Sequence, residues 1–80
     1  MRLDKYLKVS RLIKRRTVAN EACDAGRVMI NDKPAKASAE VKPGDRLTIG
    51  FGNKEVKVEI VAVTETVKKE VADQLFKYIN

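Results

Sequence analysis

The chain has 80 residues, 44% of them apolar and 35% charged, and its 17 lysines and arginines outweigh 11 acids to leave a formal net charge of +6. At this length one domain with a thin core is expected, because so small a chain buries only somewhat more than roughly 60% of the surface it exposes when unfolded. It has no histidine, no tryptophan and one cysteine, Cys23, which argues against zinc and other transition-metal sites, since these need several imidazoles or thiolates.

The charge is concentrated at one end. Met1 to Arg16 holds Arg2, Lys5, Lys8, Arg11, Lys14, Arg15 and Arg16 against a single acid, Asp4, so this fifth of the chain has a net charge of +6. From Thr17 onward ten cations face ten acids. A one-sided field raises the local concentration of a polyanion and steers its approach, so an anionic partner is expected. Within this segment Leu3, Tyr6 and Leu7 recur at helical spacing, with Arg2, Lys5 and Lys8 on the other side. That pattern predicts a short amphipathic helix ending near Val9 or Ser10. Tyr6 is read as packing beside Leu3 in preference to stacking on a base, and Asp4 as a helix-start or ion-pair residue rather than a catalytic acid.

Thr17 suits the N-cap of a second helix of about two turns, with Val18, Ala22 and Ala25 as its apolar stripe and Gly26 as its left-handed stop. Among these alanines Cys23 reads as a small buried residue rather than a reactive thiol. Val28-Met29-Ile30 predicts a strand, Asn31-Asp32-Lys33-Pro34 a turn, and Lys42-Pro43-Gly44-Asp45 a second turn leading to Leu47-Thr48-Ile49. Gly52-Asn53 makes a third reversal, after which Val56, Val58 and Ile60 alternate with Lys57 and Glu59 as a half-buried strand does. Val67, Val71, Leu75 and Ile79 then recur every four residues, joined by Phe76 and Tyr78, with Asp73 and Lys77 spaced for an i,i+4 pair. A C-terminal helix is expected.

Nucleotide-binding and hydrolase loops of the types G-x-x-x-x-G-K-[ST], G-x-G-x-x-G and G-x-S-x-G are absent, and the glycines at 26, 44, 50 and 52 read as turns. Catalysis by this chain is not expected, nor is any cofactor. The longest purely apolar run, Ile60 to Val63, falls far short of the ~20 residues that span a bilayer. The opening residues lack the apolar region of a secretory signal, so a cytoplasmic location is expected. Leu3, Tyr6 and Leu7 are the only side chains the first helix could insert into a lipid surface, without the Trp or Phe usual on such faces. No membrane partner is expected.

Four fragments stand in a telling order: "RLDKYL" at Arg2 to Leu7, "KRRT" at Lys14 to Thr17, "AGRVMIN" at Ala25 to Asn31, and "VKPGD" at Val41 to Asp45. Together they resemble the S4 RNA-binding domain over roughly the first fifty residues. One departure is Asp32, where the family more often has Gly, although Asp also tolerates turn geometry. The opening residues, the "PAKAS" segment at 34–38 and the extra C-terminal elements look like the small free-standing S4 proteins of the ribosome. That group includes heat-shock S4 proteins and, with the greater likeness, the RqcP family of bacterial ribosome-associated quality control.

The resemblance implies an α+β fold, an S4-like αL module of two short N-terminal helices packed on a small antiparallel sheet, with a C-terminal strand and helix. One S4-type domain would cover 1–80, with its core motif at about 1–50 and the extension at about 54–79. It further implies a monomeric factor that binds large-subunit rRNA and peptidyl-tRNA on an obstructed large ribosomal subunit. There it would work with the NEMF-family factor RqcH, which extends the stalled chain with alanine. The alternative is a heat-shock-type S4 protein that binds structured RNA or tRNA. In either case Arg2, Lys5, Lys8, Arg11, Lys14, Arg15 and Arg16 would form one basic surface. Arg2 and Arg16, which match basic positions of the family's motifs, would carry most of the binding. Lys33 and Lys36 could touch RNA or simply keep a loop solvated, and Arg27 could reach the basic surface or pair with Asp24.

Overall fold

The computed structural model describes residues 1–64 and 74–79. Two helices, α1 (Leu3–Val9) and α2 (Arg16–Asp24), precede five strands, β1 (Val28–Ile30), β2 (Lys33–Pro34), β3 (Arg46–Phe51), β4 (Lys54–Ile60) and β5 (Phe76–Tyr78). The strands form one antiparallel sheet in the order β2-β1-β3-β4-β5.

Helix α1 forms where its spacing predicted, with Leu3, Tyr6 and Leu7 fully buried. No side chain caps its start. Instead the amides of Leu3 and Asp4 donate to the carbonyls of Ala39 and Ala37, at 2.7 and 3.1 Å, which satisfies donors that a helix N-terminus otherwise leaves open. Beyond Ser10 the chain turns sharply at Arg11, whose φ of 63° is left-handed, and the Ile13 amide returns to the Leu7 carbonyl at 3.0 Å.

Helix α2 begins one residue before the expected cap. Arg15 is its extended N-cap residue and Thr17 sits exposed in the first turn. Its buried stripe also differs from expectation: Ala19 and Cys23 face the core, Val18 and Ala25 are exposed, and Ala22 is half-buried. Hydropathy alone favours Val18, but the face that α2 turns to the core carries the smaller Ala19 and Cys23. Cys23 is buried as expected. Burial, helped by the nearby negative charges of Asp4 and Asp24, pushes its thiol up to about 11. The helix ends in a Schellman motif, with Gly26 at φ 75°, its amide on the Cys23 carbonyl and the Arg27 amide on that of Ala22.

The β1–β2 turn is tighter than the four residues expected. Asn31 and Asp32, at φ 52° and 68°, make the two-residue reversal, and Lys33–Pro34 pair with Ile30 and Met29 as β2. The Asn31 side chain accepts the Arg46 amide at 3.0 Å and donates to Asp45 at 3.3 Å, so it links this turn to the start of β3. Gly50 is not a turn residue. It lies within β3, and its amide donates to the Arg27 carbonyl at 2.8 Å.

The expected C-terminal helix is corrected over its described part: Phe76–Tyr78 form β5, paired with Ile60 to Val58 of β4. Val67, Val71 and Asp73 lie outside the described residues. Four-residue spacing suited a helix, but an uncovered β4 edge would leave unpaired N–H and C=O groups, and aromatic residues fit a pleated surface. Lys77, which the spacing assigned to Asp73, faces Glu59 across the ladder at 3.7 Å. The core joins α1, Ala19 and Cys23 of α2, Val28, Leu47, Ile49, Val58, Ile60, Leu75 and Phe76.

The buried Tyr6 hydroxyl donates to the Leu75 carbonyl at 2.8 Å, tying α1 to the approach to β5. Tyr6→Phe should therefore cost about 1–3 kcal/mol, the penalty of orphaning a buried acceptor, read as a lower urea midpoint at unchanged m-value. An unaltered midpoint would mean that the carbonyl finds another donor.

Candidate nucleic-acid interface

The seven cations of the first sixteen residues arise from three local structures: the start and outer face of α1, the α1–α2 connection, and the first turn of α2. The structure gathers five of them into two clusters. Arg2 and Arg16 meet at Asp4, while Lys8, Arg11 and Lys14 line a separate pocket. Lys5 lies half-buried on α1, between Arg2 and Lys8 in the chain, and Arg15 is exposed at the start of α2.

Asp4 is only 2% exposed, whereas the side chains of Arg2 and Arg16 are 49% and 45% exposed. Arg2 approaches as a fork, Nε to Oδ1 and Nη2 to Oδ2, both at 3.3 Å. Arg16 comes from the other helix, Nη2 to Oδ1 at 3.4 Å and Nε to Oδ2 at 3.3 Å. Asn20, one turn beyond Arg16, donates Nδ2 to Oδ2 at 3.4 Å, and the Lys5 amide donates to Oδ1 at 2.8 Å. Asp4 is thus the internal ion-pair residue that its position suggested. Burying a lone carboxylate costs several kcal/mol; six donor nitrogens from four residues offset that cost here. Over the cluster lies a shallow groove of about 360 Å³ lined by Asp4, Arg16, Thr17, Asn20 and Glu21.

The second cluster surrounds a pocket of about 280 Å³ lined by Lys8, Val9, Arg11 and Lys14. The left-handed backbone at Arg11 makes it, because the reversal folds Lys14 back toward Lys8. Three cations around a concavity suit an anion the size of a phosphate.

Sequence reasoning missed Asn20 and Thr17 as members of the site. The spacing of Arg16 and Asn20, four residues apart on one helix face, was the available signal, but it had no meaning until Asp4 was known to point at that face. Tyr6 is wholly buried, so it packs and presents no stacking surface. Among the described residues no group of three or more His, Cys, Asp or Glu is arranged to hold a metal ion. No described helix is long and apolar enough to cross a membrane.

The S4 domain family model matches residues 1–47. The RQC P-site tRNA stabilizing factor of Bacillus subtilis is 58% identical over 80 residues, covering 100% of this chain and 93% of that relative. Its counterpart of the same name in Halalkalibacterium halodurans is 60% identical over 77 residues, covering 96% of this chain and 88% of that one. Among solved structures, trimeric Heat Shock Protein 15 of Vibrio cholerae superposes with a TM-score of 0.91 at 30% identity, covering 99% of this chain and 81% of that chain.

The Asp4 cluster makes stability depend on pH. Burial pushes the carboxyl up, but the hydrogen bonds from Arg16, Asn20 and the Lys5 amide, with the Arg16 charge, outweigh it and hold the group below its ordinary 3.8. A carboxyl whose pKa is lower folded than unfolded contributes stability that is present above the unfolded value and lost as pH falls toward the folded one. Between pH 6 and 2 the urea midpoint should therefore fall more steeply for the wild type than for Asp4→Asn, the difference opening below about pH 4. Parallel profiles would remove Asp4 as the source.

Proposed function

Given that this chain belongs to the S4 domain family, we propose that it is a non-catalytic rRNA- and tRNA-binding factor of ribosome-associated quality control. On this reading it works in the cytoplasm, binds large ribosomal subunits obstructed by peptidyl-tRNA, and supports RqcH-dependent alanine tailing of the stalled chain. The observation that carries the reading is the likeness along the whole chain to proteins named RQC P-site tRNA stabilizing factor. The chemistry of the basic segment is consistent with it. RNA helices are recognised mainly through backbone and shape, since side chains cannot read their deep major groove, and guanidiniums offer planar donor forks that engage phosphate oxygens bidentately.

Arg2 and Arg16 are the principal phosphate ligands in this proposal, each half-exposed with donors left over from Asp4. Lys8, Arg11 and Lys14 supply a second phosphate position, and Lys5 and Arg15 add to the field. The domain acts as a single unit and as a monomer. The fold shared with a trimeric heat-shock protein supports the alternative of a structured-RNA-binding protein of that type.

Sedimentation of tagged protein through a sucrose gradient separates the two. Co-migration with free large subunits that also carry RqcH and peptidyl-tRNA, lost for Arg16→Ala, is the expected result. Migration with large subunits lacking RqcH would favour the heat-shock-type role, and failure to meet ribosomes would overturn both.

Arg11 offers a finer test, since glycine would relieve its left-handed backbone but remove a cation from the pocket. Arg11→Gly relieves about 1–2 kcal/mol of left-handed strain against about 0.5–1 kcal/mol of added unfolded-chain entropy, so it should leave stability equal or slightly higher and weaken binding to large subunits. It should also reduce the slope of log affinity against log salt by about 0.7 to 0.9. An unchanged slope would remove Arg11 from the phosphate contacts.

A further inference from the structure

We infer that Asp4 is a positioning residue of the RNA interface, holding Arg2 and Arg16 as a preformed pair of guanidiniums with Asn20 as its brace. The inference rests on the proposed role of the two arginines as phosphate ligands.

An acid at this place is paradoxical for an RNA-binding surface. It is the one negative charge among the first sixteen residues, it subtracts from the field that would attract a polyanion, and its burial costs desolvation. An apolar residue would pack the α1–α2 contact without either penalty. What the carboxylate does, and an apolar side chain cannot, is fix two long side chains relative to each other. Each of its oxygens is approached by both arginines, one from the start of α1 and one from α2. Asn20 approaches Oδ2 from the same face of α2 as Arg16, so the carboxylate cannot rotate freely and neither can the guanidiniums it holds.

Each arginine engages Asp4 through Nε and one terminal nitrogen, so the other terminal nitrogen is not used on Asp4, and the two side chains are 49% and 45% exposed. Rotamer-rich side chains ordered only at the moment of binding weaken affinity, and ordering them beforehand removes that cost. Asp4 thereby exchanges one unit of long-range attraction for geometry at short range.

The two contributions have opposite signs under one substitution. Asp4→Asn keeps the shape and makes the protein more cationic, so electrostatics alone predicts tighter binding, whereas loss of positioning predicts weaker binding. The measurement is a titration of fluorescently labelled protein with purified large ribosomal subunits carrying P-site peptidyl-tRNA, at fixed salt, with thermal unfolding to show that each variant is folded. The expected result is about tenfold weaker binding by Asp4→Asn, the order of loss when two such side chains must be ordered on binding. In an Arg16→Ala background the same substitution should have a much smaller effect, because the pair is already broken.

Equal or tighter binding by Asp4→Asn would overturn the inference, as would an undiminished effect in the Arg16→Ala background. Wild-type affinity in Arg2→Ala and in Arg16→Ala would overturn the assignment of the arginines as ligands, and the inference with it. Should Asp4→Asn fail to fold, NMR relaxation of the arginine Nε–H groups in the free wild-type protein decides the matter. Order parameters for Arg2 and Arg16 near the ~0.85 of rigid backbone support positioning, while values below ~0.6, matching exposed Arg15, overturn it.

Discussion

A single buried carboxylate organises the N-terminal half of this protein. Asp4 lies in the basic N-terminal segment and draws donors from Arg2 and the Lys5 amide at the start of α1 and from Arg16 and Asn20 in the first two turns of α2. Arg16, the first residue of α2, reaches Asp4 across the α1–α2 contact. The face that α2 buries is made of small side chains, Ala19 and Cys23. Core packing and surface chemistry are coupled here: the residues that bury the helices also determine where the cations stand.

The sheet makes the helical pair possible. Helices of seven and nine residues are too short to persist alone, so each leans on structure that comes later in the chain. The N-terminal donors of α1 are met by carbonyls of Ala37 and Ala39, while its buried Tyr6 reaches the carbonyl of Leu75. Two cross-braced turns, at Asn31-Asp32 and at Lys42 to Asp45, hold β1 and β3 in register through the side chains of Asn31 and Asp45. Residues beyond the matched family region complete this platform, since β4 and β5 lie past position 47.

The basic segment divides into two kinds of site. At Asp4 the cations are restrained by an acid, and Arg16 lines a shallow groove; Lys8, Arg11 and Lys14 line a pocket beside a backbone reversal. Restraint favours geometry, and a cluster of cations favours attraction. On the proposed reading, an RNA backbone with phosphates at regular intervals would find register at one position and added affinity at the next.

Much of this was legible in the residues themselves. Local rules sufficed for α1, whose apolar residues repeat at helical spacing, for the Gly26 stop, for a reversal starting at Asn31, though not for its two-residue length, for the reversal at Gly52-Asn53, and for the alternating β4, because each depends on neighbours in the chain. The crowding of seven cations into the first sixteen residues and the ion-pair role of Asp4 were likewise readable from charge and position. The inward face of α2, the identity of β5 and the partners of Asp4 were not. Val18 outscores Ala19 in hydropathy, yet the helix–helix distance decides which one is buried. Phe76–Tyr78 fit a helical repeat until the open edge of β4 supplies a ladder. Asp4, Arg16 and Asn20 are twelve and four residues apart, and only the packing of α1 against α2 makes them neighbours. Composition and short-range spacing determined which elements form and which sign of charge the surface carries; tertiary structure decided which side chains share a site, because that depends on distances no local pattern encodes.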